Sequence, residues 1–168
     1  MNILLIEPYF TGSHKSWAED IQKFSSNNIN ILSMKGQFWK WRMQGSAITL
    51  AQKFNKLKIQ PDLIIATDML DLTTFLSLTR KTSYNIPTVM YFHENQLSYP
   101  WSKKDRDFIN KEHKHYGFIN YSSALAANKV LFNSNYHKNS FLNELKLFLK
   151  RSPDHNELET IKEIKDKS

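Results

Sequence analysis

The chain has 168 residues, 23 Lys and Arg against 16 Asp and Glu, a net charge of +7, and no cysteine. That length suits one domain with a real hydrophobic core, and the missing cysteines exclude disulfides, thiolate zinc sites, iron–sulfur clusters and thiol catalysis. Hydrophobic residues at 40% are too many for a disordered segment, and no apolar run approaches the roughly 20 residues that span a bilayer.

Residues 1–150 hold 19 Lys and Arg and 11 Asp and Glu, whereas residues 151–168 hold 4 and 5. A positive field on the body concentrates anions such as phosphate, nucleic acid or a sugar nucleotide, and it serves simple solubility equally well. The first residues carry no basic stretch and meet Glu7 within one strand length, so no signal peptide is read there. The expectation is a soluble, cytoplasmic domain that does not enter a membrane.

Strand-like and helix-like segments alternate. Asn2–Ile6 is a continuous apolar run, the pattern of a strand buried on both faces, and Ile29–Ser33, Leu63–Thr67, Thr88–Phe92 and Val130–Asn133 repeat it. Pro61 and Pro87 stand at two strand starts, where a missing N–H costs least. Helical spacing follows in Trp17, Ala18, Ile21 and Phe24. It follows again in Ala47, Leu50, Ala51, Phe54 and Leu57, with Gly45-Ser46 as the predicted start. A third helix carries Leu72, Phe75, Leu76 and Thr79 behind an Asp71 cap. One long helical segment is read over Asp105 to Ala127, and a last helix is capped by Ser134 or Asn135. Arg151–Ser168 reads as a charged linker or short exposed helix. The class is therefore α/β, a doubly wound, Rossmann-like parallel sheet.

Ligands of such sheets bind beyond the carboxyl ends of the strands, which directs attention to four loops. After the first strand, Gly12 lets a ligand approach the backbone, and the amides from Ser13 and His14 onward open a helix N-terminus that favours anions. An ordinary βα turn would look the same. After the second strand, Phe38, Trp39 and Trp41 interleave with Lys35, Lys40 and Arg42. The rings either stack on a nucleotide beside phosphate-binding cations or pin the loop to the core, and Arg42 is the residue expected to face a ligand. After the fourth strand, His93-Glu94-Asn95-Gln96 places four hydrogen-bonding side chains at a strand's carboxyl end. Asn133-Ser134 follow the fifth strand, as helix cap or as lining of the same crevice. No H-E-x-x-H is present, because residue 97 is Leu, and no G-x-S-x-G occurs; no metal site is read from the sequence. Four glycines in the chain are too few for a glycine-dense nucleotide fingerprint.

Taken together, Ile6-Glu7-Pro8, Gly12-Ser13-His14-Lys15, Trp39-Lys40-Trp41-Arg42-Met43, Tyr91-Phe92-His93-Glu94-Asn95-Gln96 with Tyr99-Pro100, and Phe132-Asn133-Ser134 resemble one family over residues 1–150. It is the tRNA-queuosine α-mannosyltransferase N-terminal domain family, within the glycosyltransferase-like domain-containing proteins. The resemblance implies a GT-B fold of two Rossmann-like domains and a retaining transfer of mannose from GDP-mannose to queuosine in tRNA, without a metal or other cofactor. It implies that His93 lies beside the donor sugar, and that Gly12, Ser13 and His14 approach the reacting centre.

On this reading His93 and Glu94 are the catalytic candidates. Gly12, Ser13, His14, Lys40, Arg42, Asn95, Gln96, Asn133 and Ser134 are the substrate-binding ones. Nothing after Lys150 resembles the C-terminal GT-B domain that holds most of the donor nucleotide in such enzymes. The chain is thus expected to turn over little alone, with tRNA, a nucleotide sugar and a separate C-terminal domain as partners. The alternatives are a non-catalytic RNA-binding module and a half-enzyme completed by another chain.

Overall fold

The computed structural model describes residues 1–110 and 113–168. Five strands form one sheet, β1 (Asn2–Phe10), β2 (Asn28–Lys35), β3 (Leu63–Thr67), β4 (Thr88–Phe92) and β5 (Lys129–Phe132), in the order β2-β1-β3-β4-β5. Every pairing is parallel. The intervening helices are α1 (Gly12–Phe24), α2 (Trp39–Phe54), α3 (Leu72–Ser83), α4 (Arg106–Ile109), α5 (Lys114–Ala126), α6 (Asn135–Leu149) and α7 (Thr160–Asp166). This is the Rossmann-like, doubly wound architecture that the alternation of elements implies.

Strand periodicity divides the core. Leu4 and Ile6 point into the larger cluster with α2, α3, α5 and α6, while Ile3 and Leu5 point the other way onto Ala18 and Trp17 of α1. All four β1 residues are buried, which is why the strand reads as an unbroken apolar run.

β1 runs four residues past Ile6, to Phe10. Its register with β2 shifts between Glu7 and Phe10, where Pro8 has no N–H to give to a ladder. Its pairing with β3 ends at Ile6, so Glu7 and Tyr9 run past the end of β3, with Glu7 still paired to Ser33 of β2. The chain leaves β1 toward β2 on one side and returns to β3 on the other. The crevice between β1 and β3 is thus the topological switch point where doubly wound sheets take their ligands.

Asp71 caps α3 by accepting the Thr74 N–H at 3.0 Å, and Ser134 caps α6 by accepting the His137 N–H at 3.1 Å, both as expected. Two expectations are corrected. α2 begins at Trp39 rather than at Gly45-Ser46, so Gly45 lies inside a helix. The segment from Asp105 to Ala127 holds two helices, α4 and α5, with residues 111 and 112 outside the described set. The tail carries a short helix, mostly exposed as read, and it is docked at a few points: Ile164 of α7 is fully buried, the Tyr121 and Thr160 hydroxyls share a 2.9 Å bond, and the Val130 N–H donates to Lys167 O. One aliphatic buried so completely contributes roughly 1.5–3 kcal/mol, enough to hold a helix of about two turns against the body. Among the described residues no helix is long and apolar enough to cross a membrane.

Candidate active site

Three strand ends and one helix start converge at the switch point. Glu7 comes from β1, Asp68 follows β3, His93 follows β4, and His14 stands in the first turn of α1. The Glu7 carboxylate is fully buried. Its Oε1 accepts the Tyr9 N–H at 2.8 Å, and its Oε2 lies 3.1 Å from His14 Nδ1 and 3.8 Å from His93 Nε2. The two imidazoles face each other with ring centroids 4.1 Å apart. Trp17 closes one side of His93 with its edge, at 4.7 Å.

These groups are driven to different protonation states. Burial pulls His14 down, but its hydrogen bond to Glu7 and the negative charge of Glu7, helped by Asp68 and Glu94, leave its pKa above the ordinary 6.5. Burial and the neighbouring His14 and His137 push His93 down to about 3. His93 therefore stays neutral, and its Nε2 is buried without a hydrogen-bond partner. Burial raises Asp68 to about 8 against the pull of His14 and of the His93 N–H, which Asp68 Oδ1 accepts at 2.9 Å. Burial also raises Glu94, opposed by His14 and by the Gln96 amide.

Two cavities flank this centre. One, of about 310 Å³, is lined by Gly12, Ser13, His14, Trp39, Glu94 and Gln96 among others. Gly12 adopts φ +51° with open space around its Cβ position, and α1 starts there with no side chain capping it, so its first amides are left for a ligand. The second, of about 330 Å³, is lined by His93, Glu94, Asn95, Asn133 and Ser134 with Tyr136 and His137. Glu94 and Tyr99 border both.

The structure thus brings together Gly12, Ser13, His14, His93, Glu94, Asn95, Gln96, Asn133 and Ser134. Several of them are also braces. Asn95 Oδ1 accepts from the Leu97 and Ser98 N–H groups, and Asn95 Nδ2 contacts His137 Nε2 at 2.8 Å. Asn133 Nδ2 donates to His93 O, and its Oδ1 sits 3.0 Å from His137 Nδ1. That network assigns His137 the tautomer with its proton on Nδ1. Gln96 Nε2 donates to Glu94, while Gln96 Oε1 is buried without a partner.

Lys40 and Arg42 stand apart. Lys40 Nζ bridges Asp105 at 2.7 Å and Asp107 at 3.0 Å, seated between the rings of Trp39 and Trp101. Arg42 Nε donates to Lys35 O. Of the three rings in that loop, Trp39 packs on Trp101 and Tyr116, while Phe38 and Trp41 remain exposed.

Sequence reasoning missed Glu7 and Asp68 as site residues, although an acid at a strand's carboxyl end was the available signal. It also missed Asn120, a fully buried α5 side chain that donates to Asp68 O and accepts from the Gln96 N–H. Asn120 thereby ties the loops after β3 and β4 together. Among the described residues Glu7, His14 and His93 are the group able to hold a cation, with their ligating atoms within 4.8 Å of one another; no local pattern hints at it, because the three are brought together only by the fold.

The family model of the tRNA-queuosine alpha-mannosyltransferase N-terminal region matches residues 2–168. The chain belongs to this family. A tRNA-queuosine alpha-mannosyltransferase of Drosophila melanogaster is 34% identical over 160 residues, covering 91% of this chain and 39% of that protein. The chain therefore spans about two fifths of the length of this curated relative. The family match continues through α7 to Ser168, beyond the residues 1–150 over which the motifs resemble it. Within the tRNA-queuosine alpha-mannosyltransferase N-terminal family, the residues converging at the switch point are this chain's candidate functional residues.

Proposed function

We propose that the chain is the acceptor-side domain of a cytoplasmic, retaining GT-B glycosyltransferase that moves mannose from GDP-mannose to queuosine in tRNA, with no resident metal or other cofactor. The observation that carries this reading is a buried, neutral His93 whose Nε2 has no partner, set beside the uncapped start of α1. A neutral imidazole, with its backbone N–H anchored on Asp68 and the Trp17 edge beside the ring, offers a hydrogen bond of fixed direction to a sugar hydroxyl. It stabilises charge developing at the anomeric carbon better than it abstracts a proton. Glu94 and Gln96 position sugar or acceptor hydroxyls, and the Gly12 and Ser13 amides receive phosphate. Catalysis comes from positioning and electrostatic preorganisation.

The reaction needs the C-terminal domain that longer relatives have room for, so this chain alone transfers little. In the two-domain enzyme, His93→Ala should lower transfer to queuosine-containing tRNA by about 100-fold or more and leave tRNA affinity in place. An unchanged transfer rate overturns the assignment of His93. Robust transfer by residues 1–168 alone overturns the need for a second domain. Titration with GDP-mannose and UDP-glucose, with and without that domain, identifies the donor.

A further inference from the structure

Phe38 and Trp41 leave 77% and 62% of their surfaces open to solvent, and core packing explains neither. Phe38 sits in the left-handed region, φ 52° and ψ 57°, at the N-cap of α2 with no side-chain cap bond. A bulky residue there is a strained outlier of the kind that collects at functional sites. The Trp41 ring lies along the helix over Gly45, whose Cβ, if it had one, would stand 3.1 Å from Trp41 Cε2 and Cζ2. Glycine inside a helix costs about 0.5–1 kcal/mol relative to alanine, and here it gives the indole a flat seat. One side of the ring is fixed and the rest is open.

The surroundings are cationic. Among the described residues Lys35, Arg42, Lys103, Lys104 and Arg106 enter no ion pair, whereas Lys40 is held by its two aspartates. Trp41, Gln44, Arg106 and His115 line an open groove of about 900 Å³ together with the paired Lys40 and Asp107. Open rings beside the unpaired Arg42 and Arg106 match the chemistry of unstacked bases joined by phosphates.

We propose that this surface binds unpaired nucleotides of an RNA loop, with bases on Trp41 and Phe38 and phosphates on Arg42 and Arg106. The inference deepens the RNA-acceptor reading above and rests on it. A duplex offers no open base face, so the platform selects loops. A polypeptide partner covering the same rings would leave RNA affinity unmoved by their removal.

The test measures binding of the chain to an unmodified RNA hairpin with an unpaired loop, and to a blunt duplex of equal length, by fluorescence anisotropy without any sugar donor. Phe38→Ala and Trp41→Ala should each weaken the hairpin about 10-fold and spare the duplex, with the salt slope unchanged. Arg42→Ala with Arg106→Ala should reduce the slope of log affinity against log salt by about one per lost phosphate contact. Gly45→Ala, which keeps the indole but displaces its seat and favours the helix, should weaken the hairpin in the same direction. Tyr84→Ala, at a ring 77% exposed beyond α3, should change nothing. Wild-type hairpin affinity in both Phe38→Ala and Trp41→Ala overturns the platform even where sugar transfer stands, and so does an equal loss in Tyr84→Ala. Failure of His93→Ala to affect transfer speaks to the transfer reading alone.

Discussion

The His14 and His93 rings lie 4.1 Å apart, tilted by 38°, yet their surroundings drive them in opposite directions. The difference is one carboxylate: Glu7 Oε2 bonds His14 Nδ1 at 3.1 Å and stops 3.8 Å short of His93 Nε2. The cation so held on His14 then helps keep His93 neutral.

Glu7→Gln tests that arrangement. Gln keeps an acceptor for His14 and removes the charge, so burial prevails and the His14 pKa should fall from above 6.5 to below it. Because the raised value belongs to the folded state, His14 contributes stability that is full below pH 6.5 and is lost as pH rises through the folded pKa. The variant should therefore be less stable by about 1 kcal/mol at pH 6, with the gap closing in alkali. Histidine ring proton titration by NMR reads the pKa directly; an unmoved His14 titration refutes the pairing.

Asp68 carries a second pH signature. Its folded pKa of about 8 exceeds the usual 3.8, so the fold binds a proton the unfolded chain releases, and stability is lost as pH rises between those values. His93, depressed to about 3, acts the other way: stability is lost as pH falls from 6.5 toward 3. Asp68→Asn keeps the oxygen that accepts the His93 N–H and abolishes the first slope. Its stability relative to the natural chain should climb between pH 4 and 8, by up to about 1.4 kcal/mol per unit, and level off above. Urea denaturation at several pH values measures this, and a constant difference across the window would mean Asp68 is ionised in the fold.

The strands were legible because a parallel sheet buries both faces, which prints Ile3-Leu4-Leu5-Ile6 and its counterparts as unbroken apolar runs. The start of α2 was not legible, because Gly45 signals a helix end by propensity but serves here as the seat of Trp41. The docking of α7 was hidden, since its packing rests largely on Ile164 amid charges. The site divides in the same way. His93 to Gln96 stand together in the chain and could be found there. Glu7, Asp68 and Asn120 meet them only through the order β2-β1-β3-β4-β5, which no local pattern specifies.

Metal dependence is decided by the same carboxylate. A cation at Glu7, His14 and His93 would have to displace the His14 proton and share Oε2 with nothing else. Because metal binding then releases a proton, its affinity rises with pH. We expect chelator to leave transfer by the two-domain enzyme unchanged. Excess Zn²⁺ should inhibit, more strongly at pH 8 than at pH 6. Activity lost to chelator and restored by a divalent ion would make the triad a metal centre.

Gly36 follows β2 and presses on the loop that aims α1 at the cavity. A Cβ there would collide with Thr11 Cβ and Cγ2 and stand 3.2 Å from the Thr11 N. Thr11 is the residue before the helix start, so its displacement would move the free amides of Gly12 and Ser13. Gly12 is the reverse case: its Cβ would meet nothing within 4 Å, and only the positive φ is costly. Gly36→Ala should therefore destabilise the chain by about 1–3 kcal/mol, the range for overpacking, and Gly12→Ala by about 1 kcal/mol, the cost of left-handed backbone for a residue with a Cβ. In the two-domain enzyme Gly36→Ala should also raise KM for the sugar nucleotide, since the receiving amides have shifted. Denaturation curves give the ranking, and Gly12→Ala proving the more destabilising of the two would show that the Thr11–Gly36 contact does not position the helix.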